Sequence, residues 1–70
     1  MKEILLLKTL PHNYNDVKNM AIVLDSHSLV ISWDIDFDDC DKILRIESNG
    51  LKVDEIINAL HKIGIWAESL

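Results

Sequence analysis

Four side chains that can bind a metal ion stand out in a sequence that otherwise has few reactive groups: His12, Asp16, Cys40 and His61. A thiolate, imidazoles and a carboxylate are suitable ligands for Zn²⁺ or Ni²⁺. The four residues do not follow the short spacings that are typical of metal motifs. They can form a site only if the fold brings their loops to the same end of the molecule.

An acidic series in the middle of the chain has the composition of a calcium loop. An EF-hand loop that began at Asp34 would need Gly at its sixth position and Glu at its twelfth, but those positions hold Asp39 and Arg45. Ile35 and Phe37 alternate with the aspartates, as strand residues do. We therefore interpret the series as a solvated strand face and hairpin tip; it consists of Asp34, Asp36, Asp38, Asp39 and Asp41.

Catalytic chemistry has little support in the sequence. Cys40 lies between two aspartates, and their negative charge disfavours the reactive thiolate form. The three histidines, His12, His27 and His61, have no spacing that places them in a triad with a serine. We expect a protein that is not an enzyme and has no catalytic residues.

Length, charge and cysteine content limit the remaining functions. A chain of 70 residues forms at most one domain, residues 1–70. Its net charge of −5 argues against nucleic acid as a partner and favours a basic one. A single cysteine excludes an internal disulfide and suggests a reducing compartment, the cytoplasm. The apolar run near the start is too short and too interrupted for a signal peptide or a membrane span.

Hydrophobic periodicity predicts six elements in the order β-α-β-β-α-β. We expect strands at 3–10, 31–37, 42–48 and 65–70, and amphipathic helices at 13–26 and 52–63. In the second strand, Ile31, Trp33, Ile35 and Phe37 are predicted to face inward. This order is typical of a ferredoxin-like α+β sandwich, in which two helices cover one face of a four-stranded antiparallel sheet.

Three segments carry a family resemblance: W-D-I-D at 33–36, D-K-I-L-R-I-E-S-N-G at 41–50 and A-L-H-K-I-G-I-W-A-E-S-L at 59–70. Together with the apolar spacing of nearly the whole chain, they resemble the heavy-metal-associated domains of copper chaperones and metal-transporting ATPases. The resemblance implies a Cys-x-x-Cys pair for a soft ion such as Cu(I), placed between the first strand and first helix. Matching the first helix by its apolar stripe puts that pair at Asn13 and Asp16, whose hard oxygen ligands are unsuited to Cu(I). Asn13 instead suits a helix N-cap, with Asp16 in the first turn.

Apolar side chains are also predicted on the sheet face away from the helices, among them Leu6, Ile43 and Trp66. Because the first and last strands should be adjacent, we expect Leu6 and Trp66 to form one exposed patch. Exposed apolar patches mark interaction surfaces. We therefore expect a non-catalytic binding or interaction module with little or no Cu(I) binding and no cofactor, which contacts a protein partner or a second copy through this face. The alternative is a carrier of Zn, Ni or Cu ions that uses ligand types other than the family's cysteine pair, namely His12, Asp16, Cys40 and His61 at the same end of the fold. Membranes and nucleic acid are not expected as partners.

Overall fold

A computed structural model describes residues 2–37 and 42–70 of the chain. Within them the elements are β1 (Lys2–Thr9), α1 (Tyr14–Ser26), β2 (Val30–Ile35), β3 (Ile43–Asn49), α2 (Val53–Lys62) and β4 (Ala67–Ser69). The strands pair antiparallel in the order β2-β3-β1-β4. The two central strands are thus the ones that each precede a helix, which is the ferredoxin-like α+β arrangement predicted from the sequence.

The core lies between the sheet and the two helices. Odd-numbered residues of β1 and even-numbered residues of β3 point toward the helices, because side chains alternate across a strand. They meet the buried stripes of α1 and α2 in one cluster, which includes Leu7, Met20, Leu24, Leu44, Ile46, Ile56 and Leu60. Both apolar helix stripes predicted from the sequence therefore face the sheet. Ile22, which lies off the α1 stripe, is 66% exposed.

Strand β2 departs from the predicted alternation at both ends. Trp33 and Ile35 pack partly buried against the core, as expected. The register with β3 shifts just after Val30, and this β-bulge leaves Ile31 exposed because Ile31 is the extra residue, which has no partner on β3. Phe37 is also exposed, since the strand ends at Ile35 and the chain turns. The inward positions predicted for Ile31 and Phe37 are wrong for these reasons.

The connection after β1 and the one before β3 lie at the same end of the sheet. The Thr9 hydroxyl at the end of β1 donates a hydrogen bond of 2.9 Å to the Lys42 carbonyl, just before β3. The Leu10 amide donates to the Trp66 carbonyl at 3.1 Å, which brings the start of the last strand to the same place. Among the described residues, no helix is both long enough and apolar enough to cross a membrane.

Candidate functional site

The start of α1 is the place where the family resemblance puts two metal-binding cysteines. Asn13 has an extended backbone and is the N-cap residue, and its side-chain Oδ1 accepts a hydrogen bond of 3.0 Å from the Asp16 amide. The Asp16 carboxylate in turn accepts a bond of 2.8 Å from the His12 amide, through Oδ2. The two side chains therefore form a reciprocal cap.

This arrangement is closely related to the capping box, in which the N-cap and the third helical residue exchange side-chain to backbone bonds. Here the return bond goes to His12, one residue before the N-cap. The cap satisfies backbone amides that a helix start leaves without partners, and the negative charge of Asp16 suits the positive end of the helix dipole. One oxygen of Asn13 and one of Asp16 are already engaged by the protein itself.

The structure describes three of the four predicted metal ligands, His12, Asp16 and His61. His12 and His61 are both exposed. Residues 2–37 and 42–70 contain no group of three or more His, Cys, Asp or Glu side chains arranged to hold a metal ion. Cys40, together with Asp38, Asp39 and Asp41, lies outside the described residues.

His27 has a local structural role at the other end of α1. It is the C-cap residue, and its Nδ1 accepts a hydrogen bond of 3.2 Å from the Leu29 amide. Its Nε2 lies 4.0 Å from a carboxylate oxygen of Glu55 on α2. The hydrogen bond at Nδ1 holds the His27 ring against the turn that follows α1.

The sheet face opposite the helices, called here the open face, carries the three residues predicted for interaction. Leu6 and Trp66 are each 43% exposed, and Ile43 is half-buried. Cross-strand partners project to the same side of a sheet. The register therefore adds further apolar side chains to this face, namely Ile4, Leu10 and Leu70.

The register also shows how these apolar residues are arranged. Leu6 lies beside Leu70, because the Leu70 amide donates to the Leu6 carbonyl at 3.1 Å, and Trp66 lies beside Leu10. Between these two apolar pairs, Lys8 lies opposite Glu68. Leu6 and Trp66 therefore belong to two apolar clusters of one face, separated along the strands by a charged cross-strand pair.

The β2 side of the open face is acidic. Asp34 lies opposite Arg45, and the Glu47 carboxylate accepts a hydrogen bond of 3.3 Å from the Ser32 hydroxyl. These side chains line a shallow, polar groove of about 290 Å³. Sequence reasoning assigned the aspartates to a solvated face, but did not detect the groove, which depends on the pairing of β2 with β3.

A second groove, of about 320 Å³, lies where β2 meets α1. Its walls include Leu24, Ile31 and Trp33, and the Trp33 indole donates a hydrogen bond of 2.8 Å to the Asp25 carboxylate. The bulge that exposes Ile31 creates part of this groove. Nothing in the alternation pattern of the sequence indicated it.

No protein-family model matches the chain, and no curated protein is significantly similar to it. The resemblance to heavy-metal-associated domains therefore stays a prediction that depends on the residues quoted above.

Proposed function

We propose that this chain is a heavy-metal-associated-like domain that has lost its soft-metal site and acts as a metal-independent protein-interaction module in or beside a cytoplasmic metal-handling system. The observation that carries the proposal is the reciprocal cap at Asn13 and Asp16. In the family that the sequence resembles, the residues at these two positions bind the ion. In this chain their side chains cap the start of α1.

The chemistry of the two side chains supports this reading. An amide oxygen and a carboxylate are hard ligands, whereas Cu(I) prefers thiolates. A metal ion that bound here would also compete with the hydrogen bonds from the His12 and Asp16 amides, each worth about 1 kcal/mol. The two side chains are thus chemically unsuited to a soft ion, and one oxygen of each already accepts a hydrogen bond from a backbone amide.

The open face supports the interaction role. It presents large apolar side chains that the helices do not cover, including Leu6 and Trp66. Apolar clusters that are bordered by charged residues are typical of binding surfaces. A module of this kind needs neither a cofactor nor a catalytic residue.

The proposed loss of metal binding is tested by anaerobic titration of Cu(I) against a competing chelator and by calorimetry with Zn²⁺ and Ni²⁺. We expect no stoichiometric binding at micromolar concentration. Tight binding that is lost in the Asp16→Ala and Cys40→Ala variants would overturn the proposal and favour the metal carrier built on His12, Asp16, Cys40 and His61.

The proposed binding of a protein partner at the open face is tested by placing a photo-crosslinking amino acid at Leu6 or Trp66, and at Ile22 as the control. Ile22 is exposed and apolar but lies on α1, on the helix side of the molecule. We expect discrete protein adducts in the native host from the open-face positions only, unchanged by a membrane-permeable chelator. Equal adducts from all three positions, or adducts that disappear with the chelator, would contradict a metal-independent surface.

A further inference from the structure

The open face is divided lengthwise into an apolar part and an acidic part. Strands β1 and β4 supply the apolar clusters described above, together with two cations, Lys2 and Lys8, and one anion, Glu68, which lies opposite Lys8. Strands β2 and β3, with the residue that follows β2, supply three anions, Asp34, Asp36 and Glu47, against one cation, Arg45, and the half-buried Ile43. The negative charge of the face is therefore concentrated on its β2 side.

This charge distribution disfavours a second copy of the chain as the occupant. Each copy has a net charge of −5. If two open faces stacked with β2 against β2, like charges would be juxtaposed across the interface, which costs affinity. If they stacked with β2 against β4, carboxylates would be buried against apolar clusters, which costs desolvation free energy. A partner with the opposite charge gains from the same field.

The dimensions of the apolar clusters suit a helix. From Ile4 on β1 to Leu10, just after it, the extended chain covers about 20 Å at about 3.3 Å per residue, a length that about 13 helical residues cover. Leu6 and Leu10 are about 13 Å apart by the same measure, close to the distance between helical residues i and i+8, which is about 12 Å. One apolar stripe on a helix can reach both clusters and pass over Lys8.

We propose that the open face binds a basic amphipathic helix of a protein partner, with its apolar stripe over β1 and β4 and its Lys or Arg residues over β2. This inference rests on the proposed function, and names the class of partner. The bound helix forms a third layer on the uncovered face of the sheet, which is a common way to bury a sheet's second apolar face.

The test uses the full chain, labelled with ¹⁵N, and two synthetic helical peptides of about 18 residues. One peptide has a Leu stripe and Lys elsewhere, and the other has the same stripe with Glu in place of Lys. We expect the Lys peptide to shift amide resonances of β1, β4 and β2, with affinity that falls at least tenfold between about 0.05 M and about 0.5 M salt. The Glu peptide should cause no shifts at the same concentrations.

Matched variants assign the effect to the open face. Asp34→Asn with Glu47→Gln should weaken the Lys peptide about three- to tenfold, because each exposed charge pair contributes modestly. Asp54→Asn with Glu55→Gln, which removes the same charge from exposed positions of α2, should change affinity less than about twofold. Leu6→Asn should weaken binding about tenfold, and Ile22→Asn should leave it unchanged.

The outcomes separate the two proposals. If both peptides bind the open face equally well, the basic partner is wrong but the interaction surface stands. If the unliganded chain dimerises through Leu6 and Trp66 on concentration, the occupant is a second copy and the inference is likewise overturned. If the Lys peptide shifts only resonances away from this face, both the inference and the proposed surface fail.

Discussion

The indole Nε1 of Trp33 on β2 donates a hydrogen bond of 2.8 Å to the Asp25 carboxylate on α1. This bond ties an edge strand, which has a neighbouring strand on one side only, to the helix beside it. It also fixes the Trp33 ring over the core, where the ring is partly buried.

The Trp33–Asp25 pair should show measurable coupling in stability. We expect Trp33→Phe and Asp25→Ala each to lower the free energy of unfolding, and the double variant to reveal about 0.5–1 kcal/mol of interaction, as hydrogen-bonded neighbours do. Chemical denaturation of the four proteins of the cycle measures it. Trp66→Phe, on the open face, is the control and should not couple to Asp25→Ala; coupling of equal size there would contradict the assignment.

The cap at the start of α1 should contribute to stability without any metal. Asn13→Ala removes the acceptor for the Asp16 amide, so it should lower the free energy of unfolding by about 1 kcal/mol, whereas Asn13→Ser should largely preserve it. Asn15→Ala, an exposed change in the same helical turn, should stay within about 0.5 kcal/mol of the parent. An Asn13→Ala variant as stable as the parent would show that the cap contributes nothing.

Introducing the cysteine motif of the family that the sequence resembles should create a soft-metal site. Asn13→Cys with Asp16→Cys creates a Cys-x-x-Cys pair at the helix start, and we expect it to bind one equivalent of Cu(I) because two thiolates suit that ion. Competition with a Cu(I) chelator measures the affinity, and Asn13→Ser with Asp16→Ser is the control. A folded double-cysteine variant that binds Cu(I) no better than the serine control would contradict the resemblance at this site.

Two buried hydroxyls of the sheet should respond in opposite directions to removal. Thr9 and Ser48 are both fully buried, but only the Thr9 hydroxyl has a partner, the Lys42 carbonyl; the Ser48 hydroxyl has none among the described residues. Thr9→Val should cost about 1 kcal/mol, since it leaves a carbonyl without its donor. Ser48→Ala should be neutral or stabilising, because it removes a buried polar atom that has no hydrogen-bond partner among the described residues.

Thermal and urea unfolding of both variants measure the contrast. A larger loss of unfolding free energy for Ser48→Ala than for Thr9→Val would show that the Ser48 hydroxyl has a role in the folded state.

The helices and their buried faces could be read directly from the sequence, because a 3.6-residue period leaves a repeated signal over three turns. The stripes through Leu24 and Leu60 are examples, and both residues are fully buried. Asn13 was also predictable as an N-cap, because its residue type and its place just before the apolar stripe are both visible in the local sequence. The return bond from the His12 amide to Asp16 was not predicted, since it depends on the path of the loop before the helix.

The pairing and register of the strands could not be predicted from local sequence patterns. The β-bulge that exposes Ile31 arises from the pairing of β2 with β3, and the alternation within one segment does not indicate where a bulge falls. The separation of Leu6 from Trp66 along the sheet also depends on strand pairing. Each was assigned correctly to the outer face, but their distance along the sheet depends on the register between β1 and the last strand.

The bulge after Val30 also determines how another molecule can approach this sheet. A straight edge strand exposes a regular row of amides and carbonyls that can pair with any extended segment, and a bulge interrupts that row. The opposite edge, β4, has only three residues and offers few such groups. Both edges therefore have features that disfavour the addition of a fifth strand, and with it the edge-to-edge pairing of chains that leads to aggregation.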